Sequence, residues 1–125
     1  MSETSQDALR AEAADGRPAD LLSVPEAAER LGIPASRVHQ LIRDGQLLGL
    51  RQDGMVRVPA DFFQDGAVVK GLPGTITVLR DAGFRDDEAL RWLFAPDDSL
   101  PGTPVQALRE NRGTEVKRRA QALAL

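Results

Sequence analysis

Ala27, Ala28 and Leu31 recur at the spacing of one helical face, and after a break at Gly32-Ile33-Pro34 so do Val38, Leu41 and Ile42. The first stripe is preceded by Ser23-Val24-Pro25-Glu26, the spacing of a capping box with proline in the first helical turn. A helix is therefore expected from Ser23, ended by Gly32 as its C-cap. A second helix is expected from Ala35 or Ser36 to Asp44-Gly45, with Arg37, His39, Gln40 and Arg43 outside its apolar stripe. The period then shortens. Leu47-Leu48-Gly49-Leu50-Arg51 and Met55-Val56-Arg57-Val58 are two short strand-like runs around Gln52-Asp53-Gly54, whose Asp-Gly pair signals a hairpin turn. Two short helices joined by a tight turn and followed by a hairpin make a winged helix-turn-helix, in which the second helix is the one that enters a groove.

Beyond the hairpin, Pro59-Ala60-Asp61-Phe62-Phe63 is expected to form a helix or turn whose phenylalanines cover the base of the wing. Residues 66–74, with three glycines and Pro73, read as a connection. Helices are expected over Thr75 to Ala82, ended by Gly83, and over Asp86 to Phe94. In the latter, Asp86, Asp87 and Glu88 complement the positive N-terminus, Leu90, Leu93 and Phe94 face a core, and Trp92 extends that surface. A turn-rich linker from Pro96 to Pro104, a short helix from Val105 to Arg109 and a last helix from Thr114 to Leu125 complete the chain. The expected fold is mainly α with a small two-stranded wing. Its parts are an acidic arm over residues 1–20 expected to be disordered, a winged helix-turn-helix over 21–65 and a helical C-terminal region over 66–125.

Composition narrows the functional classes. With 125 residues the chain holds one domain or two very small ones. Without cysteine, and with His39 as its one histidine, it offers neither disulfides nor the donors of a structural zinc site, so no metal and no cofactor is expected. No apolar run approaches the ~20 residues that span a bilayer, and the polar first 20 residues do not resemble a signal peptide. A cytoplasmic protein with no membrane partner is expected. There is no Gly-rich phosphate loop and no recognisable nucleophile-base-acid arrangement, so an enzyme working on a small-molecule substrate is not expected.

A net charge of −3 argues against a DNA binder until its distribution is followed. Residues 1–22 carry five acidic groups against Arg10 and Arg17 and hold the whole deficit, whereas residues 23–58 carry five arginines against four acids. Any DNA surface is therefore a narrow basic face. Of the 16 basic residues 14 are arginine, the planar donor suited to bidentate contacts. On the second helix, Arg37 can donate two hydrogen bonds to guanine and Gln40 can pair with adenine. Ser36 can bond a phosphate at the helix start or simply cap the helix, Arg43 is placed for phosphate, and His39 for either base or phosphate. Arg51 and Arg57 flank the wing turn, where arginine either follows the backbone or enters the minor groove, or is simply a solvated pair. The run Lys117-Arg118-Arg119 either extends this footprint or complements the negative end of the last helix. In the arm, Ser2, Thr4 and Ser5 lie beside acidic residues as candidates for a Ser/Thr kinase, whose added charge would repel phosphates.

The run from Ser23 to Pro34 and the run Arg37-Val-His-Gln-Leu-Ile-Arg-Asp-Gly resemble the first half of MerR and excisionase-type winged helices. The continuation is more particular: Val58-Pro-Ala-Asp-Phe-Phe, Val69-Lys-Gly-Leu-Pro-Gly, Arg91-Trp-Leu-Phe, Asp98-Ser-Leu-Pro-Gly and Glu115-Val-Lys-Arg-Arg-Ala-Gln-Ala-Leu. It resembles an actinobacterial winged-helix DNA-binding family that includes the mycobacterial substrate of Ser/Thr protein kinase L. The resemblance spans residues 21–125. It implies duplex DNA as partner, a transcriptional or nucleoid-associated role, and regulation by a kinase, with Thr4 the candidate acceptor; a homodimer is a further expected partner. A weaker echo of toxin-binding antitoxin regions, in Trp92-Leu93, Leu100-Pro-Gly-Thr-Pro-Val and Ala107-Leu108, implies the alternative of a protein-interaction module.

Overall fold

A computed structural model describes residues 20–97 and 102–124. Helix α1 (Val24–Leu31) starts where the capping box places it: the Ser23 amide donates to Glu26 Oε1 at 2.9 Å, and the Glu26 amide donates to Ser23 Oγ at 3.2 Å. It ends at Gly32, whose φ of 67° is the left-handed conformation that favours glycine. Helix α2 (Ala35–Arg43) follows, entered through Pro34, so Ser36 lies inside the first turn and is not the N-cap. Ala27 and Ala28 are buried on α1, and these small side chains let it pack closely against α2.

The Glu26 carboxyl is held below its ordinary value of 4.5, first by the Ser23 amide, then by the Ser23 hydroxyl, with Arg57 and Arg30 adding attraction. A lowered folded-state pKa contributes stability above the ordinary value and loses it as pH falls below that value. A Glu26→Gln variant should therefore lose less melting temperature than the wild type between about pH 5 and about pH 3. Circular dichroism melts read this directly, and equal losses would contradict it.

The wing turns on Asp53 and Gly54, with φ of 55° and 78°, the pair of positive values that a two-residue type I′ hairpin needs. Its strands are β2 (Leu50–Gln52) and β3 (Met55–Pro59). The expectation of a two-stranded wing is corrected here: strand β1 (Leu21–Ser23) pairs antiparallel with β3, giving a three-stranded sheet in the order β1-β3-β2. Three residues carry too little alternation to announce a strand, and β1 forms because β3 offers it a free edge. Leu47 and Leu48 are fully buried but precede the hairpin as loop.

A 3-10 turn (Ala60–Phe62) leads into a second hairpin, β4 (Phe63–Gln64) with β5 (Ala67–Val68). It turns on Asp65-Gly66, again both at positive φ, so its second strand occupies the start of the connection expected over residues 66–74. Helix α3 (Leu72–Asp81) begins a turn before Thr75 because Leu72-Pro73 occupies its first positions, where proline is favoured. Helix α4 (Asp86–Phe94) has the expected bounds; α5 (Pro104–Arg109) starts at Pro104, behind the Thr103 cap; and α6 (Gly113–Ala122) packs along α3.

One continuous core runs from Leu22 and Val38 under the helix-turn-helix to Val116 and Ala120 on α6. Phe62 is its largest fully buried side chain, and its ring meets that of Phe94 at 5.6 Å. Arg109 Nη1 donates to the carbonyls of Asp61 at 3.0 Å and Phe63 at 2.7 Å, tying α5 to the chain that leaves the wing. Arg80, on α3, donates from Nε and Nη2 to the carboxylate of Asp86 at 3.1 and 3.0 Å. Its guanidinium lies over Gly45 at the end of α2, so close that a Cβ there would sit 2.5 Å from Nη1. The C-terminal helices thereby bring a cation, itself paired with Asp86, next to the end of α2, where positive charge is favourable.

Candidate nucleic-acid interface

Helix α2 buries Val38 completely and packs Leu41 and Ile42 partly against the core, while Ser36, Arg37, His39, Gln40 and Arg43 are exposed. At about 100° per residue, Ser36, Gln40 and Arg43 form the line directly opposite the buried stripe. Arg37 and His39 lie on its two flanks, Arg37 on the side of Leu41 and His39 on the side of Ile42. Among the described residues, Arg37, Arg43 and Arg51 are in no ion pair; the paired arginines are Arg80, Arg85 and Arg112, all in the C-terminal region. The cations on the outer side of α2 thus have no ion-pair partner among the described residues.

The wing stands on the His39 flank. A Cβ at Gly49 would lie 3.1 Å from Val56 Cγ1 and 3.2 Å from Ile42 Cδ1, so the hairpin root is seated directly on α2 and a larger residue there would press on both side chains. The two wing arginines do not share a face. Arg51 pairs with Val56, and Leu50 pairs with Arg57; residues directly opposite one another share a face, so Arg51 goes with Val56 and Val58, toward α2, and Arg57 goes the other way. Arg57 also pairs with Ser23 of β1, and its charge acts on Glu26. Its Nη2 lies 4.0 Å from the Met55 sulfur. Ser36, Gln40, Arg43, His39 and Arg51 are therefore brought toward one side, with Arg37 on the far flank of α2 and Arg57 behind the wing.

Sequence reasoning overlooked the support given by Arg80. Its sequence neighbourhood carries no signal of a contact with Gly45, because the pairing is made only when α3 folds back across the end of α2. Thr4 lies outside the described residues. Within them, no group of His, Asp and Glu is assembled that could hold a metal ion, and no helix is long and apolar enough to cross a membrane.

Two helices joined by a tight turn, with a β-hairpin seated on the second of them, define a winged helix-turn-helix protein. The chain belongs to the Rv2175c family. Residues 4–63 match the family model described as DNA-binding protein Rv2175c, wHTH domain, and residues 69–124 match the Rv2175c C-terminal domain of unknown function. The DNA-binding protein Rv2175c of Mycobacterium tuberculosis is 46% identical, over 81% of this chain and 78% of that protein. The NMR structure of Rv2175c superimposes with a TM-score of 0.77 at 44% identity, covering 85% of this chain and 82% of the other. A Streptomyces ambofaciens excisionase is 44% identical over 37% of this chain and 74% of its own length. The family is described by DNA binding and not by a catalytic activity.

Proposed function

We propose that this protein binds duplex DNA, with α2 in the major groove and the wing against the neighbouring backbone. The observation that carries the reading is the outward line of Ser36, Gln40 and Arg43 on a helix whose arginines have no ion-pair partner among the described residues. Gln40, at the centre of that line, reads a base edge, and Arg37 reads one from the flank. Ser36, Arg43 and Arg51 hold phosphates, and His39 adds a contact on the wing side. Arg57 contributes less, because Glu26 offsets its charge. Residues 21–65 form the DNA-binding part, and residues 66–125 form a helical C-terminal region that shares its core and brings Arg80 up to Gly45 at the end of α2.

The protein acts on this reading as a transcriptional regulator or nucleoid-associated protein of the cytoplasm, with a homodimer supplying a second half-site and a kinase acting on Thr4 weakening binding by charge. Trp92 is half-buried against the core, and Ala107 and Leu108 are buried, which favours a core role for the residues that suggested an antitoxin-like partner surface.

Fluorescence anisotropy with a labelled promoter duplex tests the proposal. Neutralising about three phosphates gives a slope of about −3 in log affinity against log salt, or roughly a 60-fold loss between about 50 and about 200 mM salt. Absence of binding at low salt, or a salt-insensitive complex, would refute it.

A further inference from the structure

Among the described residues two large apolar side chains are exposed, Met55 at 55% and Leu123 at 44%. Leu123 lies at the end of the last helix. Met55 is different, since it stands on the last rung of the wing, paired with Gln52 directly beside the Asp53-Gly54 turn. Neither the turn nor the register of β3 needs a methionine there: positive φ is supplied by Asp53 and Gly54, and the strand is anchored by the buried Val58. A single exposed apolar residue on a surface is ordinary, but the company of this one is not. Gln52 lies opposite it on the same face, and the Arg57 guanidinium, two residues along that face, rests 4.0 Å from its sulfur.

We propose that Met55 is an apolar wedge that the wing tip carries into the minor groove next to the α2 site, on the face of the ribbon turned away from α2, and that it opens a base step there, with Gln52 and Arg57 on the same face lining the groove. The proposal rests on the duplex-binding reading above and deepens it. Proteins that enter the minor groove combine Arg, Lys, Asn or Gln, which read its edges and width, with a Met, Leu, Ile, Phe or Pro inserted between base pairs. The wing tip carries that combination on one face of a two-stranded ribbon. Residues 51–55 are all exposed, so the turn and the Gln52–Met55 rung are the part of the ribbon free to enter a groove about 7.5 Å deep. Asp53, the one acid at the tip, is where the turn needs it, and Arg51 and Arg57 on the two faces of the ribbon offset its repulsion of phosphates.

Opening a step is least costly at flexible pyrimidine–purine steps, which makes Met55 a source of sequence preference without any hydrogen bond. The test compares wild type, Met55→Gln and Met55→Leu on two end-labelled duplexes that share the α2 site. One carries a TA step in the adjacent minor groove, and the other a stiff A-tract. Energy transfer between the duplex ends reports bending, and 2-aminopurine at the step reports unstacking. The wild type and Met55→Leu should bend the TA duplex and prefer it by about tenfold, whereas Met55→Gln should bind both duplexes alike and bend neither. Equal bending by Met55→Gln, or a wild type that binds without bending or preference, overturns the wedge alone. A wild type that binds neither duplex overturns the duplex-binding reading and the wedge with it.

Discussion

A Gln40→Ala, Arg43→Ala double variant should bind its promoter duplex about 100-fold more weakly than the wild type while melting at the same temperature. A bidentate base contact is worth about 1–3 kcal/mol, and a phosphate contact adds to it, so a combined loss near 3 kcal/mol is expected, with each tenfold in affinity corresponding to about 1.4 kcal/mol. Both side chains are exposed, and neither makes a hydrogen bond or ion pair within the described residues, so their removal leaves the core intact. The single variants separate the two roles. Gln40→Ala should relax preference at one base pair, whereas Arg43→Ala should weaken all sequences alike and reduce the salt slope by about one. Anisotropy titrations at several salt concentrations measure all of this. Wild-type affinity in the double variant would mean that the duplex does not lie on α2.

The second large effect concerns stability. Phe62→Ala should lower the unfolding free energy by about 3–5 kcal/mol, a large part of the roughly 5–15 kcal/mol that holds a domain together. Phe62 is 0% exposed and packs on Phe94, and it occupies the 3-10 turn between the wing and the C-terminal helices, directly beside the two carbonyls that Arg109 holds. Removing its ring leaves a cavity at the junction, which Arg109 keeps from collapsing. Urea titration should show an earlier midpoint with an unchanged slope, the signature of lost stability without a change in the surface exposed. DNA affinity should fall only as the folded fraction falls. A loss below about 1 kcal/mol would mean that the junction repacks and that the two regions are less dependent on one another than their shared core indicates.

The helices were legible in the sequence where the signals were local. Ser23 and Glu26 sit three residues apart and find each other within one turn; Gly32 ends α1 for a reason internal to the residue; and Asp86, Asp87 and Glu88 mark the start of α4. The Asp53-Gly54 turn was equally plain. Asp65-Gly66 has the same signature, but its flanking strands are two residues each and offer no alternation to read. The outward set on α2 followed from periodicity, and the four residues expected there, Arg37, His39, Gln40 and Arg43, are exposed. The pairing of Arg51 with Arg57 as equivalent wing cations did not follow, because one residue of register decides which face of a strand a side chain takes.

Sequence by itself thus determined which segments are helical, where they begin and end to within a few residues, and which polar residues line the outside of α2. These follow from interactions spanning one or two helical turns. Tertiary structure alone decided that β1 joins the wing and that Arg51 and Arg57 part to opposite faces. It also decided that Arg80 lies over Gly45 at the end of α2 and that Arg109 ties the chain leaving the wing to the C-terminal helices. Each of these contacts joins residues far apart in the chain or depends on strand register, and local periodicity carries no information about which distant backbone groups a guanidinium will meet once the core has closed.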